Sequence, residues 1–275
     1  MEVKTIEKLL DERKYIDTYK ILPEGDTFKD LSTVIIIPNK GTHTEKRALN
    51  CVKCGEKNEF ETTTIHGLHP IFVEAFKRLV RPMNVPVLDM IVPGREVGEA
   101  YCFAIENILN DPNLSKFKYI LTIEDDNIIP FIPNSLGPLM MLYEDIGKGF
   151  DVAGGLYWTK SSPSMPLLYG DPKADIKDPE GFFKCRYDWK EIPEGPVECN
   201  GLGMGFTLFK MELFKDTRIE KPWFKTLSEH SADEGIKQYT QDLYFFQKIR
   251  TLGYRVCVDT RVKVGHLDVK SGIIY

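Results

Sequence analysis

Three observations predict an α/β fold built on a mostly parallel sheet. Short apolar runs rich in β-branched residues recur at 31–39 (LSTVIIIPN), 85–93 (VPVLDMIVP) and 118–123 (KYILTI). Stretches with helical spacing separate them, and a strand–helix–strand rhythm favours parallel pairing. Finally, three carboxylates, Glu124, Asp125 and Asp126, follow the third run directly. In open sheets of this kind ligands gather beyond the carboxyl ends of the strands.

The elements follow in chain order. Residues 1–30 read as a mixed-charge helical arm closed by the turn Pro23-Glu24-Gly25-Asp26, and 31–275 as one domain. The first strand stops at Pro38. Pro70 is well placed in the first turn of a helix carrying IFVEAFKRLV. GEAYCFAIENIL forms a second helix before the third strand. In the second half, residues 150–158 (FDVAGGLYW) run as a strand into a glycine turn. Residues 159–196, rich in Pro, Gly and Asp, form a long excursion over the site. ECNGLGMGFTLFKMELF is a glycine turn entering an apolar element, TQDLYFFQKIRTLGY is an amphipathic helix ending near Gly253, and RVCVDTRVKVGHL closes with strand-like alternation.

Composition narrows the class. The chain has 275 residues, 42% hydrophobic and 28% charged, as in ordinary globular proteins. A net charge of −5 gives no broad nucleic-acid surface, although a local basic groove is compatible with it. Six cysteines are too sparse for a disulfide scaffold, and Cys102, Cys185, Cys199 and Cys257 read mostly as buried thiols. No run approaches the ~20 apolar residues of a membrane span, and the N-terminus lacks a signal-peptide core. The expectation is a cytoplasmic protein.

Three adjacent carboxylates repel one another unless a cation shares the site. Hard divalent cations take oxygen ligands, and a strand end presents such ligands rigidly. A solvated acidic turn is the alternative.

Taken in order, these motifs resemble the GT-A fold of nucleotide-sugar-dependent glycosyltransferases, family 2-like, over residues 32–267. The resemblance rests on the strand VIIIPN, the helix EVGEAYCFAIENIL, the D-x-D-like Glu124-Asp125-Asp126, VAGGLYW, GLGMGF, TQD and the late His266. It implies a Rossmann-like, mostly parallel sheet flanked by helices, with a nucleotide-binding half (31–130) and an irregular acceptor half (131–275). It further implies transfer of a sugar, with inversion, from a nucleotide-diphosphate donor to an acceptor hydroxyl.

In that scheme Asp126 and His266 hold Mn²⁺ or Mg²⁺ with help from Glu124, and the imidazole favours Mn²⁺. Pro38, Asn39, Arg95 and Asp125 border the nucleotide with Glu124 and Asp126. A UDP-sugar is the donor by analogy with the fold. Asp242 stands at the base position, although TQD replaces the usual Glu-Asp; Asp233 and Glu234 are rivals, and the helix dipole alone would also favour Asp242. His266 is otherwise a packed histidine. Gly201, Gly203 and Gly205 either bring backbone amides to a sugar or simply turn the chain. Tyr157, Trp158 and Trp223 either stack on rings or pack the core. The acceptor is open: a glycan, a lipid carrier, a protein or a modified nucleic-acid base.

One motif stands outside the resemblance. Cys51, Cys54, His66 and His69 form C-x₂-C-x₁₁-H-x₂-H, close to a zinc-finger spacing with tighter histidines. They hold a structural Zn²⁺ or are two reduced cysteines beside a helix start. This motif supports a rival reading, a zinc-stabilised, non-catalytic module binding nucleic acid or glycan. A nucleotidyltransferase on the same fold ranks lower, because no Gly-rich loop bearing Lys or Arg follows the first strand.

Overall fold

The computed structural model describes residues 30–39, 41–50, 57–65, 67–83, 85–130, 137–173, 191–231 and 235–275. The expected helical arm at 1–30 therefore lies almost entirely outside the described residues. In chain order the elements are β1 (Thr33–Asn39), β2 (Thr42–Asn50), β3 (Lys57–Ile65), α1 (Pro70–Lys77), β4 (Val87–Pro93), α2 (Val97–Asn110), β5 (Tyr119–Ile123), β6 (Asn127–Ile128), α3 (Pro138–Gly147) and β7 (Val152–Leu156). They continue with β8 (Leu168–Tyr169), β9 (Pro196–Cys199), β10 (Gly201–Leu202), β11 (Phe206–Lys210), α4 (Glu212–Lys215), β12 (Leu227–Ser231), β13 (Gly235–Tyr239), α5 (Gln241–Thr251), β14 (Val256–Lys263) and β15 (Gly265–His266).

The central sheet has seven strands in the order β4-β1-β5-β11-β7-β14-β9. β4, β1 and β5 pair in parallel, as do β7 and β14. β11 runs antiparallel between β5 and β7, and β9 runs antiparallel at the edge beside β14. The sheet is thus mostly parallel and Rossmann-like, with two reversed strands.

The unbroken apolar runs are explained by helices on both faces. Every residue of β1 is buried. Val34 and Ile36 face one core with Tyr101, Ala104 and Ile105 of α2 and Phe245 and Phe246 of α5. Ile35 and Ile37 face the other with Phe72 of α1 and Leu142 and Ile146 of α3. Burying each such side chain contributes about 1.5–3 kcal/mol.

Helix ends follow local rules. Glu96 caps α2 by accepting from Gly98 N at 2.8 Å and Glu99 N at 3.2 Å. α1 stops at Lys77, short of the expected IFVEAFKRLV, its last turn tightening through Arg78 N to Ala75 O. α3 was not expected from the sequence.

Candidate active site

The five strands that run in one direction end on the same edge of the sheet, and that edge collects the polar residues. β1 delivers Pro38 and Asn39, and β5 delivers Glu124-Asp125-Asp126. β7 leads into Tyr157, Trp158 and Lys160, and β14 leads into His266. Asp242 lies in the first turn of α5. Gly98 of α2 packs against this turn, since a Cβ there would come 3.0 Å from Gln241 Cβ.

The acidic triplet forms a tight turn, closed by Asn127 N donating to Glu124 O at 3.0 Å. Three neighbours pin it. Glu124 N donates to Gly205 O at 3.2 Å, Leu267 N donates to Asp126 O at 2.8 Å, and β6 pairs with β15 so that His266 stands opposite Asn127. Asn39 Nδ2 donates to Asp125 Oδ2 at 2.7 Å.

His266 is held in one tautomer. Its Nδ1 lies 2.7 Å from the Trp158 carbonyl, which can only accept, so Nδ1 carries the proton. Burial holds the imidazole below its ordinary pKa, so at neutral pH the ring is uncharged and Nε2 presents a lone pair. That Nε2 lies 3.8 Å from Asp126 Oδ2. Tyr157 supports the ring edge-on, with centroids 5.3 Å apart. The other oxygen of Asp126, Oδ1, is buried without a hydrogen-bond partner, as are both polar atoms of the Asn127 side chain.

Burial pushes the Glu124 carboxyl up to about 8, with the neighbouring charges of Asp126 and Asp242 adding to the effect. Burial likewise raises Asp242, against hydrogen bonds from the Thr240 hydroxyl and the Leu243 amide. The Tyr101 and Tyr157 phenols are raised by the same desolvation and by the charge of Glu124. These groups form a partly dehydrated cluster of acidic and phenolic side chains.

Among the described residues, no three His, Cys, Asp or Glu side chains already converge closely enough to enclose a metal ion. The donor set nevertheless suits a divalent cation. Asp126 Oδ1 is buried without a hydrogen-bond partner and the neutral His266 Nε2 lies beside the same carboxylate, both of them acceptor atoms, while an ammonium already neutralises the carboxylate through Oδ2.

The remaining expected residues fall as follows. Arg95 stacks its guanidinium 4.1 Å over the Phe103 ring on the outer side of α2. Gly203 and Gly205 make room for protein: a Cβ on either would come 2.1 Å from Tyr157 Oη or Asn127 Oδ1, respectively. Gly205 N also donates to Tyr157 Oη at 2.9 Å, so this amide is already engaged. Tyr157 and Trp223 are core residues, 3% and 2% exposed, whereas Trp158 is half-buried and offers its carbonyl to His266. Cys199 and Cys257 are buried thiols and Cys102 is half-buried. Cys51, Cys54 and His66 of the zinc motif lie outside the described residues, as do Asp233, Glu234 and Cys185. His69 caps α1, its Nδ1 accepting from Ile71 N at 3.3 Å.

Sequence reasoning missed Lys160. Its ammonium donates to Asp126 Oδ2. The only available signal was a lone lysine just past the VAGGLYW strand. Missed too was Asn127, whose burial beside Gly205 follows from the glycine turn.

No family model and no curated protein matches the sequence. Among solved structures, the crystal structure of A197 from STIV matches with a TM-score of 0.51 at 18% identity, covering 88% of this chain and 92% of that one. This shows a shared fold. Two structures of UDP-glucose pyrophosphorylase match more distantly. The apo form gives a TM-score of 0.34 at 11% identity, covering 66% of this chain and 59% of that one. The complex with UDP-glucose gives 0.39 at 10% identity, covering 86% and 92%.

Proposed function

We propose that the protein is a metal-dependent glycosyltransferase that moves a sugar from a nucleotide-diphosphate donor, a UDP-sugar by analogy, to an acceptor hydroxyl. The observation that carries this reading is the pairing of Asp126, with its buried unpartnered Oδ1, and neutral His266 at 3.8 Å, on the edge where the parallel strands end. The resemblance to GT-A enzymes, carried by the motifs that supply these residues, adds to it.

Asp126 and His266 would hold the cation, Mn²⁺ or Mg²⁺, with Glu124 beside them. When bound, that cation would neutralise the charge that develops on the departing diphosphate. Asn39 fixes Asp125 at the end of β1, where Pro38 would border the nucleotide. In this reading Arg95 would have to leave Phe103 to reach a phosphate. Asp242 would take the proton of the acceptor hydroxyl as that oxygen attacks the anomeric carbon and the bond to the diphosphate breaks, which inverts the centre. Burial raises its carboxyl above the ordinary range, which makes the carboxylate a stronger base. A glycan, lipid, protein or modified base would serve as acceptor.

The test is product analysis with Mn²⁺. A panel of UDP-sugars should release UDP, faster in the presence of the right acceptor. Pyrophosphate release from UTP and a sugar phosphate, with no UDP release from any UDP-sugar, would instead make the protein a nucleotidyltransferase. Neither reaction, with a nucleic acid or glycan bound unchanged, would leave the non-catalytic module.

A further inference from the structure

Lys160 stands at the tip of a short loop that is knitted to itself. Thr159 N donates to Met165 O at 2.8 Å, Met165 N to Thr159 Oγ1 at 2.9 Å, and Ser164 Oγ to Thr159 O at 2.6 Å. Trp158, at the foot of the loop, bridges Pro166 and offers its carbonyl to His266 Nδ1. The histidine facing Asp126 thus also anchors the loop that brings Lys160 to Asp126. Lys160 Nζ takes Oδ2, the same oxygen that His266 Nε2 faces. Asp268, held below the usual carboxylate range chiefly by hydrogen bonds from Ser271 and Lys270, also faces this ammonium, as does Glu124.

A cation held between Asp126 and His266 Nε2 would stand beside the Lys160 ammonium, and repulsion between the like charges would weaken that ion pair. The pair is partly open to solvent, 28% on the lysine and 25% on the aspartate, so exchanging it costs little. The ammonium sits on a flexible four-carbon stem at a fixed loop tip, and a point charge of this kind binds phosphate readily.

We infer that Lys160 is the resident counter-cation of Asp126 and passes to the donor's diphosphate when a divalent cation takes its place. The inference rests on the donor-site reading above and adds a residue and an order of events to it. Lysine and cation compete in the free protein. With nucleoside diphosphate present they cooperate, each neutralising part of the same leaving group. No covalent step is involved.

The test is Mn²⁺ titration of the full chain without nucleotide, reading free Mn²⁺ by electron paramagnetic resonance. UDP titration at saturating Mn²⁺ follows, on wild type, Lys160→Ala and Lys160→Arg. Removing one positive charge from beside the cation should tighten Mn²⁺ binding about tenfold in Lys160→Ala and leave Lys160→Arg near wild type. UDP binding should weaken by about tenfold or more in Lys160→Ala. Thermal melts should be nearly unchanged, since the side chain lies at the surface. Unchanged or weaker Mn²⁺ binding in Lys160→Ala would overturn the exchange. Tighter Mn²⁺ binding with UDP affinity unaltered would overturn the transfer to diphosphate while leaving the donor site intact. No UDP binding to either protein, whatever the Mn²⁺ result, would remove the donor-site reading and the transfer with it.

Discussion

Asn39 Nδ2 donates to Asp125 Oδ2 across 2.7 Å, tying the end of β1 to the acidic turn at the end of β5. Asn39 Oδ1 accepts from Gly41 N at 2.9 Å, and its carbonyl from Gly94 N at 2.9 Å, so one buried side chain and its backbone brace the loops after β1 and β4. Three strand ends are thereby held in register around the site.

Asn39→Ala removes a hydrogen bond to a carboxylate and leaves Gly41 N short of its acceptor. A loss of about 1.5–3 kcal/mol is expected, which lowers Tm by several degrees in a chain of this size. Nucleotide affinity should fall with it. Differential scanning fluorimetry checks the first effect. A melt superimposable on wild type would show that the bridge does not hold the turn.

Gly205→Ala places a Cβ 2.1 Å from Asn127 Oδ1 and 2.4 Å from its Cγ, inside the core under the acidic turn. Overpacking of this kind costs about 1–3 kcal/mol or more. Gly67→Ala, where a Cβ meets nothing within 4 Å, is the control. Denaturant unfolding should separate the two variants clearly. Equal midpoints would mean that Asn127 moves aside freely.

Glu124 titrates near 8 in the folded chain against an ordinary value of 4.5, because burial disfavours its charge. The folded state therefore binds the proton more tightly than the unfolded state. This contribution is whole below the unfolded value and is lost as pH rises through the folded one. Without divalent cations, wild-type Tm should fall more steeply between about pH 5 and about pH 8.5 than that of Glu124→Gln, which cannot ionise. Parallel curves for the two proteins would assign the pH dependence to other groups.

Asp242→Asn keeps the shape of the side chain and removes its basicity. Turnover should drop by about 10²–10⁴, while affinity for UDP with Mn²⁺ stays within about twofold of wild type. Loss of nucleotide binding in this variant would make Asp242 part of the donor site and vacate the base position.

The sequence made the architecture legible wherever both faces of a strand are buried. VIIIPN and KYILTI announce themselves because nothing polar interrupts them, and their helices carry the apolar stripe that covers them. The direction of β11 was not legible, since strand periodicity carries no polarity. α3 was missed because PLMMLYEDIG carries its apolar residues in an unbroken run, whose period is ambiguous. Glu124, Asp126 and His266 could be found by type and order. Lys160 could not, because its meeting with Asp126, 34 residues away in sequence, depends on how the loop after β7 closes on itself. The glycine turn misled for a related reason: space left open for a ligand and space filled by Tyr157 and Asn127 look alike in one dimension.

The most direct measurement of the central claim is calorimetric titration of UDP and GDP into the full chain, with and without Mn²⁺, on wild type and Asp126→Ala. The account predicts nucleotide binding that requires Mn²⁺ and vanishes in Asp126→Ala, with the melt of the variant showing that it remains folded. Absence of binding under every metal condition, or binding of equal strength in Asp126→Ala, would contradict it and leave the acidic turn as a lysine-neutralised structural feature.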